Sequence, residues 1–323
     1  MTRFKNKYSL LFIIVILVIA FVSAIYRINR NEPRKEERKH VSMIVYGDDS
    51  DRWENMREGA TLVCDEEGAD LSLITMMSEN DTAEQEEIIL REIEDGADAL
   101  IIAACNSSTI KDFIEDKHPR VPIVFVEDIE SLSGDIKAIT PDDHKMGYEL
   151  GQELLKNESD IVTVAIVSEN TGRDSVSLRE KGFREAVEGK VGRIITWSRN
   201  DYEKMANTRM FIQRAIVSEA TDVIVTFDNT ATDALIDALA NLNKTRKVYS
   251  ISTSNKAVYN LYNKGITVLE YPDEFSMGYL AAVNVLDTSE AKKFGNKKVE
   301  YRIVRKENMY DKDNQTLLFP FVN

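Results

Sequence analysis

The feature that most constrains this chain is a regular alternation. From residue 40 onward, short apolar runs and helix-spaced segments take turns every ten to fifteen residues. The expected strands 40–47, 71–74, 97–104 and 121–126 are each short for a helix. The segments between them carry apolar side chains at helical spacing, such as Ile88, Ile89 and Ile93, and two of them stop at glycines Gly68 and Gly96. Strands that alternate with helices in this way build βαβ units and a parallel sheet. Residues 121–151 interrupt the series. The run 123–126 ends on Glu127 and Asp128, the carboxyl end of a strand, where open α/β sheets place their ligands. A second run, 136–139, meets Pro141, which disfavours continuing a strand, and Asp142 and Asp143 then suit the start of a helix.

We read this crossing as a hinge, because the same alternation resumes beyond it. Expected strands are 162–167, 194–197, 222–227, 248–251 and 266–269. Expected helices are 176–187, 203–216, 231–242 and 257–262. A helix over 275–286 is expected to return to the first lobe, leaving a late strand at 298–305 and a tail to residue 323. The fold class is therefore α/β, with two similar doubly wound parallel-sheet lobes. The division is 40–140 plus 272–293 for the first lobe and 141–271 plus 294–323 for the second.

One segment stands outside this pattern. Residues 8–26 carry no charge and are long enough, as a helix, to cross a bilayer's hydrocarbon core. A cleaved signal and an uncleaved transmembrane anchor both fit. The apolar run exceeds the usual signal-peptide core, which favours the anchor, with 1–7 as a cytoplasmic end and 27–39 as a polar stalk. Counted by flanking Lys and Arg alone, the large domain would lie inside.

Composition excludes several classes. The formal net charge of −14 argues against nucleic acid as a partner. Only Cys64 and Cys105 are present, without CxxC, HExxH or a Cys/His cluster, so neither a structural metal nor a disulfide framework is expected, and no cofactor is implied. There is no GxSxG, no Walker loop and no GxGxxG after a strand. His40, His118 and His144 are scattered, and Glu127 and Asp128, adjacent on an extended strand, point to opposite faces and are poorly placed to flank one bond. No enzyme activity is expected.

The order of motifs resembles the type I periplasmic binding proteins of the ribose and galactose kind. The resemblance rests on Gly59-Ala60, DALIIAACNSS, VPIVFVED, DDHKMG with Gly147, LREKGF, TFDNTATDAL and LEYPDEFSMG, and covers essentially residues 40–286. It implies a cleft in which both lobes grip a small polar ligand, a sugar first of all, through paired hydrogen bonds and aromatic faces. Carried over residue by residue, Arg52 and Trp53 fall where the family has two stacking aromatics, Glu127 on its strand-end acid, and Asp128 where the pattern has an arginine. Arg179 falls on an arginine that forks onto sugar hydroxyls, and Tyr202 on another aromatic. Asp228 falls on a polar amide, Ser252 on an aspartate, and Glu270 on a glutamine before Tyr271-Pro272.

Departures at Arg52, Ala103, Asp128 and Ser252 argue against ribose or galactose itself, and the acid-rich set suits a ligand with many donors or a cation. A degenerate lobe pair that serves as a protein-interaction module is a further reading.

The resemblance also implies an exported receptor, which would place the main domain outside the cell membrane despite the flanking charge. Transport receptors of this family in single-membrane bacteria are usually lipoproteins tethered by a cysteine just after the signal segment. The first cysteine here is Cys64, which favours a sensor histidine kinase as the membrane partner over the permease of a sugar ABC transporter. Repressor effector domains share these lobes, but carry a helix-turn-helix where this chain has its apolar segment.

Overall fold

The computed structural model describes residues 17–18, 21–23, 38–48, 51–127, 137–158, 161–199, 207–287 and 298–319. The chain divides into two compact units, residues 1–39 and 40–323. In the first unit, 17–18 and 21–23 are helical and exposed, and the rest of the expected membrane segment 8–26 lies outside the described residues. Among the described residues no helix is long and apolar enough to cross a membrane.

The second unit holds two sheets. The first lobe runs β1 (His40–Val45), α1 (Glu54–Glu66), β2 (Asp70–Thr75), α2 (Thr82–Glu94), β3 (Ala99–Ile102), α3 (Ser107–Lys117), β4 (Ile123–Val126) and β5 (Lys137–Ile139). The second lobe continues with α4 (Asp143–Asn157), β6 (Thr163–Val167), α5 (Asp174–Val187), β7 (Arg193–Trp197), α6 (Thr208–Ser218), β8 (Val223–Thr226), α7 (Asn229–Asn241), β9 (Lys247–Ile251), α8 (Asn255–Tyr262) and β10 (Val268–Pro272). Then follow α9 (Glu274–Val285), β11 (Tyr301–Val304) and α10 (Lys312–Leu318).

Strand order is β2-β1-β3-β4-β5 in the first sheet and β11-β10-β9-β8-β6-β7 in the second. Both orders reverse once, between β1 and β3 and between β6 and β8, and open α/β sheets bind ligands at the strand ends beside such a reversal.

Two expectations are corrected. The late strand is shorter than 298–305 and pairs antiparallel with β10, so the second sheet is not purely parallel. The tail holds a helix, α10. The expected helix at 203–216 begins, among the described residues, at Thr208.

Capping explains where the helices start. Asp81, Asn106, Asp142, Asn207, Asp228, Ser254 and Asp273 each accept a backbone N–H from the first turn of the helix that follows. Asp142 and Asp273 do this at two of the crossings, so there the chain turns into a helix as soon as it changes lobe. The crossings are tied to one another: Asp273 N donates to Glu300 O at 2.9 Å, Val299 N to Thr140 O at 3.5 Å, and Lys298 pairs with Asp142 at 3.3 Å.

Both lobes are built round one helix pair that crosses at glycine. In the first lobe α1 meets α9, and a β-carbon on Gly59 would run into the Phe275 carbonyl, while one on Gly278 would run into that of Met56. In the second lobe α4 meets α5, and Gly147 and Gly182 stand in the same relation to the carbonyls of Arg179 and His144. Backbone packs on backbone, and any side chain there would force the helices apart.

Gly278→Ala should therefore lower stability by about 2 kcal/mol or more. Gly68→Ala, where φ is +67° and none of the described residues stands within 4 Å, should lose only the smaller backbone-strain term. Urea unfolding of both variants checks this. Equal losses would refute the close crossing.

Candidate functional site

The site is assembled at strand ends. β1 runs out at Tyr46, and the chain turns through Gly47 and a short 3-10 turn, Asp51–Trp53, into α1. Trp53 is fully buried. Its indole N–H donates to the Tyr46 carbonyl at 3.2 Å, and the two rings meet edge to face with centroids 4.9 Å apart. Arg52 lies over the Trp53 ring at 3.9 Å and donates to Glu127 at 2.8 Å and to Glu274, at the start of α9, at 2.7 Å. Glu127 follows β4 with φ at +68°, a backbone region that costs a non-glycine residue about 1–3 kcal/mol and clusters at functional sites. Its carboxylate also accepts the Tyr46 hydroxyl at 2.7 Å.

The second lobe meets this surface with its own strand ends and loops. Arg173, just before α5 and 1% exposed, lies 4.0 Å over the Tyr46 ring and donates to Glu79 at 2.5 Å. Glu79 belongs to the first lobe, in the turn after β2, and also accepts the Thr230 hydroxyl at 2.6 Å. Asn80 donates to Asn170 at 3.0 Å, and Asn170 to Asp228 at 2.8 Å. Ser252 donates to Asn229 at 2.9 Å, and Thr253 reaches Glu274 at 2.7 Å. Charge-assisted bonds thus cross between the lobes at several points.

At Arg52, Glu127, Glu274, Asp143 and Asp228 burial opposes the charge and nearby partners support it, with different outcomes. For Glu127, burial alone would raise the pKa, but the field of Arg52, with Arg179, the Tyr46 hydroxyl and Arg173, outweighs it and holds the carboxyl below its ordinary value. Burial would lower Arg52, and Glu127 and Glu274 lift it well above. At Glu274, Asp143 and Asp228 burial prevails, and each is raised despite its arginine.

Two expected ligand residues are buried within the second lobe. Arg179 is buried inside the second lobe, donating to Asp143 at 2.7 Å and to the Phe227 carbonyl at 3.0 Å. Glu270 shares the face of β10 that carries Val268 and packs toward α4, and among the described residues neither of its carboxyl oxygens has a hydrogen-bond partner. Burial, with Glu149 adding to it and Arg179 opposing, pushes its pKa well up.

Arg52, Trp53, Glu127, Asp228 and Ser252 are brought to the interface between the lobes. Asp128 and Tyr202 lie outside the described residues. Tyr46, Glu79, Arg173, Asn229, Thr230, Thr253 and Glu274 were not anticipated. For Asn229 and Thr253 the available signal was their place just past strands β8 and β9.

A cavity of about 590 Å³ opens between the lobes. The first lobe lines it with Tyr46, Asp48, Arg52 and Glu79, the second with Thr230, Asp233 and Asn255, and the end of α10 with Leu318 and Phe319. A hollow of about 500 Å³ beside α5 is lined by the second lobe alone and cannot be gripped by both. Among the described residues no cluster of His, Cys, Asp and Glu could hold a metal ion.

A family model described as "Periplasmic binding protein domain" matches residues 41–293. No curated protein matches the chain. Among solved structures it is similar to GanP, a glucose-galactose binding protein from Geobacillus stearothermophilus, at 17% identity and TM-score 0.71 over 85% of this chain and 100% of that one. It is also similar to an ABC transporter solute binding protein from Agrobacterium vitis with bound D-fucose, at 15% identity and TM-score 0.76 over 87% and 100%. A chain of a XylFII-LytSN complex matches at 17% identity and TM-score 0.71 over 84% and 98%. At such identities these likenesses carry the fold alone.

The Glu270 carboxyl supplies a pH test. The fold holds its proton, whereas the unfolded chain releases it near the ordinary value of about 4.3. Stability from this group is therefore full below that value and is lost as pH rises toward the raised folded pKa. Glu270→Gln should be more stable than the unaltered chain at pH 7 by about 1 kcal/mol or more, with the gain vanishing near pH 4. Melting curves across pH check it, and a difference that does not change with pH would contradict the assignment.

Proposed function

The chain belongs to the periplasmic binding protein domain family, and on that premise we propose that it is an extracytoplasmic solute receptor. It takes a small polar ligand, a sugar or sugar-like polyol, between its two lobes and passes the closed state to a membrane partner. The observation that carries this reading is the 590 Å³ cavity to which both lobes contribute hydrogen-bonding side chains. A ligand held there has differential affinity for the state in which the lobes meet, and such a difference is what shifts a conformational equilibrium. No chemistry is assigned to the protein.

The uncharged segment 8–26 is read as a single membrane anchor, with the lobes outside the cell membrane. A sensor histidine kinase is the favoured partner. The first cysteine, Cys64, is buried in the first lobe and is no lipid tether, and one similar fold is named as a XylFII-LytSN complex. The substrate-binding subunit of a sugar ABC transporter is the second reading, since another similar fold is named as such a solute binding protein. The kinase or permease genes beside this one would separate the two readings. A lobe pair that has lost its ligand and serves contact alone is favoured by one observation, the Arg52 and Arg173 guanidiniums lying on the rings of Trp53 and Tyr46.

The purified chain, melted in the presence of pentoses, hexoses, 6-deoxyhexoses, cyclitols and amino sugars, tests the reading. A true ligand at a thousandfold its Kd should add about 4 kcal/mol of stability. Thr230→Val, which removes a cavity-lining hydroxyl, should shrink that gain. No response to any of the panel would leave the contact-only lobe pair standing.

A further inference from the structure

Resting on the receptor reading, we propose that Phe319, at the end of the C-terminal helix, provides the aromatic face on which the ligand stacks. The stacking contact is then made at Phe319 and not at the Arg52-Trp53 pair. A sugar or cyclitol ring has one flat C–H face, and a polar cavity that is to hold it needs an apolar surface to match.

The inner aromatics do not offer that surface. Trp53 has no exposed surface and lies under the Arg52 guanidinium, and that guanidinium is fixed by Glu127 and Glu274. Tyr46 is 5% exposed, with Arg173 over its ring and its hydroxyl given to Glu127. Among the described residues lining the cavity, Phe319 is the remaining aromatic side chain.

It is also well held. The Phe319 ring stacks on Tyr310 with centroids 6.2 Å apart and planes 12° from parallel, and its backbone N–H donates to the Gln315 carbonyl at 2.9 Å, so the end of α10 fixes it. Thr230, Ser254 and Asn255 line the same cavity with hydrogen-bonding groups, and Asp48, Glu79 and Asp233 add acceptors. The cavity thus joins an apolar patch to polar groups, which suits a ring with a C–H face and a rim of hydroxyls. A ligand placed so also bridges α10 to the turn after β1, adding the C-terminal helix to the parts that lobe closure engages.

Titration calorimetry of the full chain with D-galactose, D-fucose and myo-inositol tests this, for the unaltered protein and for Phe319→Leu and Phe319→Tyr. Leucine keeps apolar bulk against the second lobe's core, on which Phe319 packs, yet has no flat ring. Tyrosine keeps the ring. The expected result is a loss of roughly tenfold in affinity for Phe319→Leu, with Phe319→Tyr close to the unaltered chain. Wild-type affinity in Phe319→Leu overturns the proposal and leaves the receptor reading intact. So does an equal loss in both variants. If the unaltered chain binds none of the three ring compounds, it is the receptor reading for such ligands that falls, and the role of Phe319 falls with it.

Discussion

Two backbone-to-backbone helix crossings set the position of nearly everything else. At Gly59 and Gly278 in one lobe, and at Gly147 and Gly182 in the other, helices approach as closely as peptide groups allow. The same consequence follows in both lobes. Glu274 lies one turn before Gly278, and Arg52 just ahead of the helix that carries Gly59, so the crossing delivers them to each other at 2.7 Å. Asp143 and Arg179 lie one turn before Gly147 and Gly182 and also meet at 2.7 Å. Each lobe therefore carries an arginine–carboxylate pair held by the same geometry, part-buried in the first lobe and buried in the second. Removing one member of such a pair would strand the other in a low-dielectric interior, typically a loss of about 3–5 kcal/mol.

This geometry explains what the sequence could and could not reveal about Arg179. The LREKGF motif marks a place in the fold, and the residue at that place is an arginine as the resemblance requires. Where its guanidinium goes depends on Asp143, thirty-six residues away in sequence, and no local pattern carries that information. The alternation of runs and helices was legible because burial on both faces of a parallel sheet imposes it on composition. Strand direction is not imposed in that way, so the antiparallel β11 could not be read from YRIV alone. The helix Lys312–Leu318 escaped because its seven residues, KDNQTLL, hold only two apolar side chains. Arg173 and Glu79 are isolated charges in loops, and nothing distinguishes such residues from solvated ones until a partner from the other lobe arrives.

The interlobe surface sets charges directly against aromatic rings. Arg52 and Arg173 lie across aromatic rings while Glu127, Glu79 and Glu274 take their N–H groups. Stacking leaves the edge of a guanidinium free to donate, so both interactions can be made together. Lysine could reach the carboxylates but could not lie flat on the rings. The positive φ at Glu127 fits the same picture. Its carboxylate is turned toward Tyr46 and Arg52, and the strain is offset by bonds from both.

The two glycine crossings, alike in space, differ in the order in which a growing chain can make them. In the second lobe α4 and α5 are consecutive helices, and their contact closes a loop of some thirty-five residues. In the first lobe α1 must wait for α9, roughly two hundred and twenty residues later. By loop-closure entropy alone the longer loop is harder to close by about 1.6 kcal/mol. During synthesis from the amino end, the glycine crossing of the lobe that comes first in sequence is thus the later of the two to form. Until α9 arrives, the face that α1 will cover stays open to water, and a partly made chain has most need of protection there.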